Sequence, residues 1–268
     1  MYDYFISDNK GKAYYLRYFN SQKNILNNID ELQRIHAILQ NQDDFCVPEW
    51  ILSIDGKATM NFRNSKYILL TMLPTEKKTL ENWNYNKVLN ILSKMHLILS
   101  KLSKNNSIIN SELTFFNFVN PCSRHLDGYF KNILATSINA VTDNYRFNYL
   151  KNYKRQIIHG DFHSSNVFPG KNNKLNIIDF FNSTFDTPLF DLMELMDLFP
   201  ENKFNILDKY NDWNNCQFTM RDFEYLKFVK AVFYLNRMNE NIRFNSRLKG
   251  GAMTIKWAIT IIDNYLCG

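Results

Sequence analysis

Cysteine, proline and glycine are all scarce in this chain of 268 residues, with 4, 6 and 8 copies. The cysteines Cys46, Cys122, Cys216 and Cys267 are widely spaced and form no Cys-x-x-Cys pair. That spacing excludes a zinc knuckle and a disulfide framework, and makes a reducing cytoplasm the expected compartment. No Gly-x-x-x-x-Gly-Lys-Ser/Thr loop occurs, which excludes P-loop phosphate chemistry. A run of about 18 apolar residues is also lacking, so no membrane span is expected. The opening stretch, Met1-Tyr-Asp-Tyr-Phe-Ile-Ser-Asp-Asn-Lys10, has no basic segment followed by an apolar one, so no signal peptide is expected. Blocks of like charge are missing too. The formal net charge is +6, but the basic residues are scattered among acids. This describes a solvated surface compatible with an anionic ligand such as a nucleotide, and no nucleic-acid face.

What is abundant is core material: 45% of residues are hydrophobic and 15% aromatic. Residues 2–7 and 13–19 read as strands around the polar turn Asp8-Asn-Lys-Gly-Lys12, a hairpin. Residues 21–39 carry Ile25, Ile29, Leu32, Ile35 or His36, and Leu39 at helical spacing, and Val47-Pro48 ends that region. A further hairpin is expected from 50–54 and 58–62 around Asp55-Gly56, followed by a strand at 67–72. Beyond Leu73-Pro74 the texture turns helical. Val88, Leu92, Met95, Leu99 and Leu102 form one stripe of a helix over 86–102. Helices are also expected at 190–198, 221–237 and 252–265, with two short strands at 156–158 and 175–178 between them. The expectation is a sheet-plus-helix lobe at 1–73 joined to a mostly helical lobe at 74–268.

The most informative stretch is Ile157-Ile-His-Gly-Asp-Phe-His-Ser-Ser-Asn-Val-Phe168, followed by Leu175-Asn-Ile-Ile-Asp179. It sets Asp161, then Asn166 five residues on, then Asp179 at the end of an apolar strand. Phosphoryl transfer needs such groups: a carboxylate to accept a hydroxyl proton, and an amide and a carboxylate as hard ligands for Mg²⁺. The pair His159 and His163 is spaced for a helical zinc site. However, Gly160 between them and the strand-like flanks argue against a helix, so both read as loop-organising residues. Asp191, ahead of an apolar run, would either cap a helix or brace the loop by accepting backbone N–H bonds. His96 is expected to pack or to face solvent.

The segments His159–Asn166 and Ile178-Asp-Phe180, then Pro188-Leu-Phe-Asp-Leu192, resemble the aminoglycoside phosphotransferase and choline kinase-like superfamily, a relative of the protein kinases. The resemblance implies an α+β, bilobal protein-kinase-like fold with a small antiparallel-sheet N-lobe and a mostly helical C-lobe. It implies Asp161 as the base, and Asn166 and Asp179 as Mg²⁺ ligands. Tyr14-Tyr-Leu-Arg17 looks like the third strand with its phosphate-contacting base, and Glu31 like that base's acidic partner. Residues 67–74 look like the hinge, where Thr71, Met72 and Leu73 would line the nucleotide site. ATP or GTP would be the co-substrate and a small hydroxylated molecule the acceptor. Read singly, Arg17 and Glu31 also suit a surface pair.

Two departures stand out. The family places one more strand and a nucleotide-covering loop ahead of the first hairpin, so the N-lobe looks truncated and a more open phosphate site is expected. Asp179 is followed by Phe180-Phe181-Asn182, where many relatives carry a further acid. From Leu192 onward nine acids face ten basic residues, which gives no general field for a polycationic acceptor. A catalytically weak or inactive kinase-like protein with a structural or regulatory role, as in spore-coat-associated members, is the alternative reading.

Overall fold

The computed structural model describes residues 2–20, 29–40, 42–62, 65–74, 80, 83–102, 128–142, 155–241 and 251–267. The expected first hairpin forms: β1 (Tyr2–Ser7) pairs antiparallel with β2 (Ala13–Asn20). Its turn is closed by Asp8, whose Oδ1 accepts the N–H groups of Lys10 and Lys12, each at 2.9 Å. β2 pairs in turn with β6 (Ser65–Thr71), which sets Arg17 opposite Ile68. Of the expected helix at 21–39, Ile29–Leu39 forms α1; residues 21–28 lie outside the described residues. Its Leu32, Ile35 and Leu39 enter the core.

The expected hairpin between 50–54 and 58–62 is corrected. The turn at Asp55-Gly56 does form, with Lys57 N donating to Ser53 Oγ at 3.0 Å and Gly56 N to Ser53 O at 2.9 Å. Its arms, however, pair with β6 instead of continuing as a ladder with each other. β4 (Trp50–Ile51) sets Trp50 opposite Leu70, and β5 (Met60–Phe62) sets Met60 opposite Tyr67. A seven-residue strand offers room for both short partners, and pairing there lets Trp50 pack beside Leu70.

The helical part centres on α2 (Tyr85–Leu102), whose Val88, Leu92, Met95 and Leu99 are fully buried. Each such side chain contributes about 2 kcal/mol of burial. Of the other helices, α5 (Lys203–Asn214) packs on α2, while α3 (Gly128–Thr142), α4 (Leu189–Leu198) and α7 (Gly251–Cys267) pack on α6 (Met220–Asn241). α4, α6 and α7 correspond to expected helices; α3 and α5 were not expected, and polar residues interrupt α5's apolar period. Between α3 and α4 lie the short strands that carry the motif. β7 (Gln156–Ile158) pairs with β10 (Thr184–Asp186), and β8 (Val167–Pro169) with β9 (Leu175–Ile177). β3 (Phe45–Cys46) runs parallel to β9, tying the segment after α1 to the motif-bearing strands. No helix among the described residues is long and apolar enough to cross a membrane.

Candidate active site

The chain leaves β7 at Ile158 and turns sharply through His159-Gly160-Asp161. Gly160 has φ +78°, and a Cβ there would stand 2.3 Å from the carbonyl oxygen of Asn182. Only glycine fits both the left-handed backbone and that close approach. Asp191, fully buried near the start of α4, braces this turn. Its Oδ2 accepts His159 N–H and its Oδ1 accepts Gly160 N–H, both at 2.8 Å. Of the two readings left open for Asp191, bracing is therefore the one observed. His96 of α2 donates from Nε2 to the same carboxylate at 2.9 Å, and its Nδ1 meets the Tyr210 hydroxyl at 2.6 Å. Burial alone would raise the Asp191 carboxyl, but its bond from His96, together with the His159 N–H, holds it below the ordinary carboxylate range.

The two histidines of the motif organise the loop. His159 is buried, and its Nε2 contacts Ile178 O at 2.9 Å while Nδ1 accepts Asp161 N–H at 3.2 Å. Burial lowers its pKa, so the ring is neutral and the tautomer is fixed by those two partners. His163 Nδ1 accepts Ser165 N–H at 3.1 Å, which turns Nε2 toward Asp161 Oδ1 at 3.3 Å. Burial pulls Asp161 up, yet its bond to His163, with the Lys230 ammonium behind it, holds the carboxyl below its ordinary range. An ionised, partly exposed carboxylate is what a hydroxyl donor requires.

Asn166 and Asp179 meet because Ile178 N donates to Asn166 O at 2.9 Å across the ends of β8 and β9. Asn166 Nδ2 donates to Asp161 O and Oδ2, each at 3.0 Å, so its carbonyl oxygen is the atom that could face a cation. Asp179 adopts a left-handed conformation, φ 63° and ψ 53°, at the head of the turn Phe180–Asn182. Among the described residues no group of three or more His, Cys, Asp or Glu is arranged to hold a metal. One amide oxygen and one carboxylate suit Mg²⁺, which keeps water and phosphate oxygens in its remaining shell.

Arg17 reaches the same point from the sheet. Its guanidinium forks onto Asp179, Nη1 to Oδ1 at 2.6 Å and Nη2 to Oδ2 at 3.1 Å, and Nη2 also donates to the Tyr15 hydroxyl at 2.8 Å. The rings of Phe181 and Tyr15 lie 4.4 Å and 5.2 Å from the guanidinium carbon. Glu31, the residue expected beside Arg17, is buried on α1 and stands 3.9 Å from Arg34. Arg17, Asn166 and Asp179 line a cavity of about 280 Å³ whose walls include Phe5, Leu70, Phe168, Ile178 and the expected hinge residues Thr71, Met72 and Leu73. Thr71 is fixed to the chain opposite: its N–H donates to Glu49 O and its Oγ1 accepts Glu49 N–H, both at 2.9 Å. One cavity therefore gathers Arg17, Asn166 and Asp179 with all three residues expected at the hinge. Asp161 stands beside it through Asn166.

Sequence reasoning missed several participants. His96 sits in the brace under the loop. Phe5, Tyr15 and Phe181 give the cavity aromatic walls, and Asn182 Nδ2 donates to Asp161 Oδ2 at 3.1 Å. Lys230 of α6 is buried in an ion pair with Glu194 of α4, and burial lowers its pKa to about 8 against the pull of Asp161 and Asp191. Alternation along β2 would have paired Tyr15 with Arg17 on one face; nothing in the sequence links Lys230 to the loop.

A small antiparallel sheet on a helical body, with a cavity bearing a basic residue, an amide and a carboxylate and a second carboxylate beside it, defines a kinase-like fold. The chain belongs to the phosphotransferase enzyme family, whose profile matches residues 2–224. The resemblance read from the motif is thus borne out. No curated protein sequence matches the chain. Among solved structures, amicoumacin kinase hAmiN in complex with AMP-PNP, Ca²⁺ and Ami superposes with a TM-score of 0.72 at 13% identity, over 98% of this chain and 85% of that one. The microcompartment-associated aminopropanol kinase gives 0.68 at 13% identity, over 99% and 89%. Choline kinase LicA from Streptococcus pneumoniae gives 0.60 at 13% identity, over 98% and 90%.

Proposed function

We propose that this chain is a small-molecule kinase that moves the γ-phosphate of ATP or GTP onto a hydroxyl of a small acceptor. The observation that carries the reading is the convergence of Arg17, Asn166 and Asp179 on the cavity walled by Thr71, Met72 and Leu73. The nucleobase would lie between the apolar walls near those residues, with residues 1–73 holding the nucleotide and 74–268 presenting Asp161 and the acceptor. Asn166 and Asp179 would hold Mg²⁺, which when bound neutralises the negative charge of the phosphates. Arg17, whose fork is held by Asp179 between two rings, would turn it to phosphate oxygens as Mg²⁺ takes over the Asp179 carboxylate.

Asp161 orients the acceptor hydroxyl and takes its proton as the new O–P bond forms; the electron pair of the breaking P–O bond leaves with the nucleoside diphosphate. Because the transition state is loose, Asp161 acts chiefly by holding the oxygen in line. The neighbouring structures named above are an amicoumacin kinase, an aminopropanol kinase and a choline kinase, which supports a small hydroxylated acceptor for this chain.

The test is a thermal shift with ATP or GTP, with and without Mg²⁺, on wild type and Asp179→Ala. A nucleotide at about a hundred times its dissociation constant adds roughly 2.7 kcal/mol to stability. The expected result is a Mg²⁺-dependent rise in Tm that Asp179→Ala loses. No rise with either nucleotide would refute the kinase reading and redirect the search to protein partners.

A further inference from the structure

We propose that Asn182 is a positioning residue for Asp161, and that Oδ1 of Asp161 is the atom that receives the acceptor's proton. This rests on the kinase reading. The two oxygens of Asp161 are not equivalent. Oδ2 accepts the amides of Asn166 at 3.0 Å and of Asn182 at 3.1 Å, which occupy both of its in-plane lone pairs. Oδ1 is approached by His163 Nε2 alone among the described residues, at 3.3 Å, and the carboxylate is one-fifth exposed. One lone pair of Oδ1 therefore remains for an incoming hydroxyl, and His163, more than one-third exposed, borders the path to it.

Asn182 is exposed, yet its backbone is held in place. It closes a single helical turn in which Ser183 N donates to Phe180 O at 2.9 Å. Phe180 is fully buried and packs on His159 with ring centroids 4.6 Å apart. The Asn182 carbonyl lies so close to Gly160 that no side chain fits between them. The same turn thus fixes the loop by its backbone and the catalytic carboxylate by its side chain. Asn166 shares the contact to Oδ2 but has a second task toward the metal; Asn182 isolates the positioning role. The departure noted in the sequence, an uncharged run after Asp179, acquires a purpose: an amide donates to the carboxylate where an acid would repel it.

The experiment uses the full chain and Mg²⁺–ATP with water as acceptor, comparing wild type, Asn182→Ala and the isosteric Asn182→Asp, which keeps the shape and removes the donor. The expected result is a fall in kcat of about tenfold or more in both variants, as misplacement of a reacting group produces. KM for Mg²⁺–ATP, the Mg²⁺–ATP thermal shift and the unliganded Tm should stay near wild type, because Asn182 touches neither the cavity wall nor the core. Equal kcat in all three proteins, including none in any, with the thermal shift intact, overturns the role of Asn182 and leaves the kinase reading standing. A joint loss of kcat and thermal shift also overturns it, since that pattern belongs to a collapsed loop. Absence of any Mg²⁺–nucleotide shift in wild type overturns the kinase reading and this inference together.

Discussion

At the scale of single residues, the site divides into positions legible along the chain and positions that needed the fold. Asp161, Asn166, His159 and His163 lie within eight consecutive residues, so their chemistry could be read as one loop. Gly160 was legible as a turn residue, but its strict requirement comes from the Asn182 carbonyl, 22 residues away. Gly160→Ala should therefore cost about 1–3 kcal/mol from its positive φ and the 2.3 Å contact, and should displace Asp161 from Asn182. Urea unfolding and Mg²⁺–ATP turnover check this. Stability within about 0.5 kcal/mol of wild type would mean that the loop relaxes freely and that the close approach carries no constraint. The Arg17–Asp179 fork was beyond reach of sequence, because 162 residues separate the partners and both were assigned to phosphate and metal, not to each other.

At the scale of elements, periodicity located helices well where one face is apolar, as in α2. It failed for strand pairing, because residues 50–51 and 60–62 flank a good turn yet both find better partners along β6. The same topology bears on the short N-terminal sheet. A more open nucleotide site was expected, yet β1 contributes Phe5 to the cavity wall, edge-to-face with Tyr15 at 5.6 Å. Phe5 is 72% exposed and adds little to the core. Phe5→Ala should leave stability within about 0.5 kcal/mol of wild type, while the dissociation constant for Mg²⁺–ATP rises about tenfold through loss of one aromatic face for the base. Calorimetric titration of wild type and variant separates the cases. Unchanged affinity would show that the hairpin does not cover the nucleotide, and a joint loss of stability would assign Phe5 to the fold.

At the scale of the whole molecule, two buried groups set the pH dependence of stability in opposite directions. Asp186 has no exposed surface; its Oδ1 accepts Thr187 N–H at 2.7 Å and its Oδ2 has no hydrogen-bond partner among the described residues. Burial raises its pKa to about 7, against the pull of the Thr187 bond and the Arg155 charge. An unfolded Asp loses its proton near 3.8, so between there and about 7 the folded chain binds more protons and stability falls as pH rises. His36, which donates to Pro48 O at 2.9 Å and is enclosed by Trp50 and Phe180, is lowered by burial to about 4. The unfolded chain protonates it below about 6.5, so stability falls as pH drops through that window, and neutral His159 adds to the same side. Neither contribution was visible in the sequence, where both residues look like ordinary polar positions. In Asp186→Asn the first contribution vanishes. Its stability relative to wild type should climb from pH 4 to 7 by up to roughly 4 kcal/mol and then level off. His36→Asn should show the reverse, its stability relative to wild type declining by up to about 3 kcal/mol between pH 4 and 6.5. Urea midpoints measured across pH 4 to 8 check both. If the Asp186→Asn curve ran parallel to wild type, Asp186 would be ionised throughout, and its orphaned oxygen would have to find a partner when the carboxylate is charged.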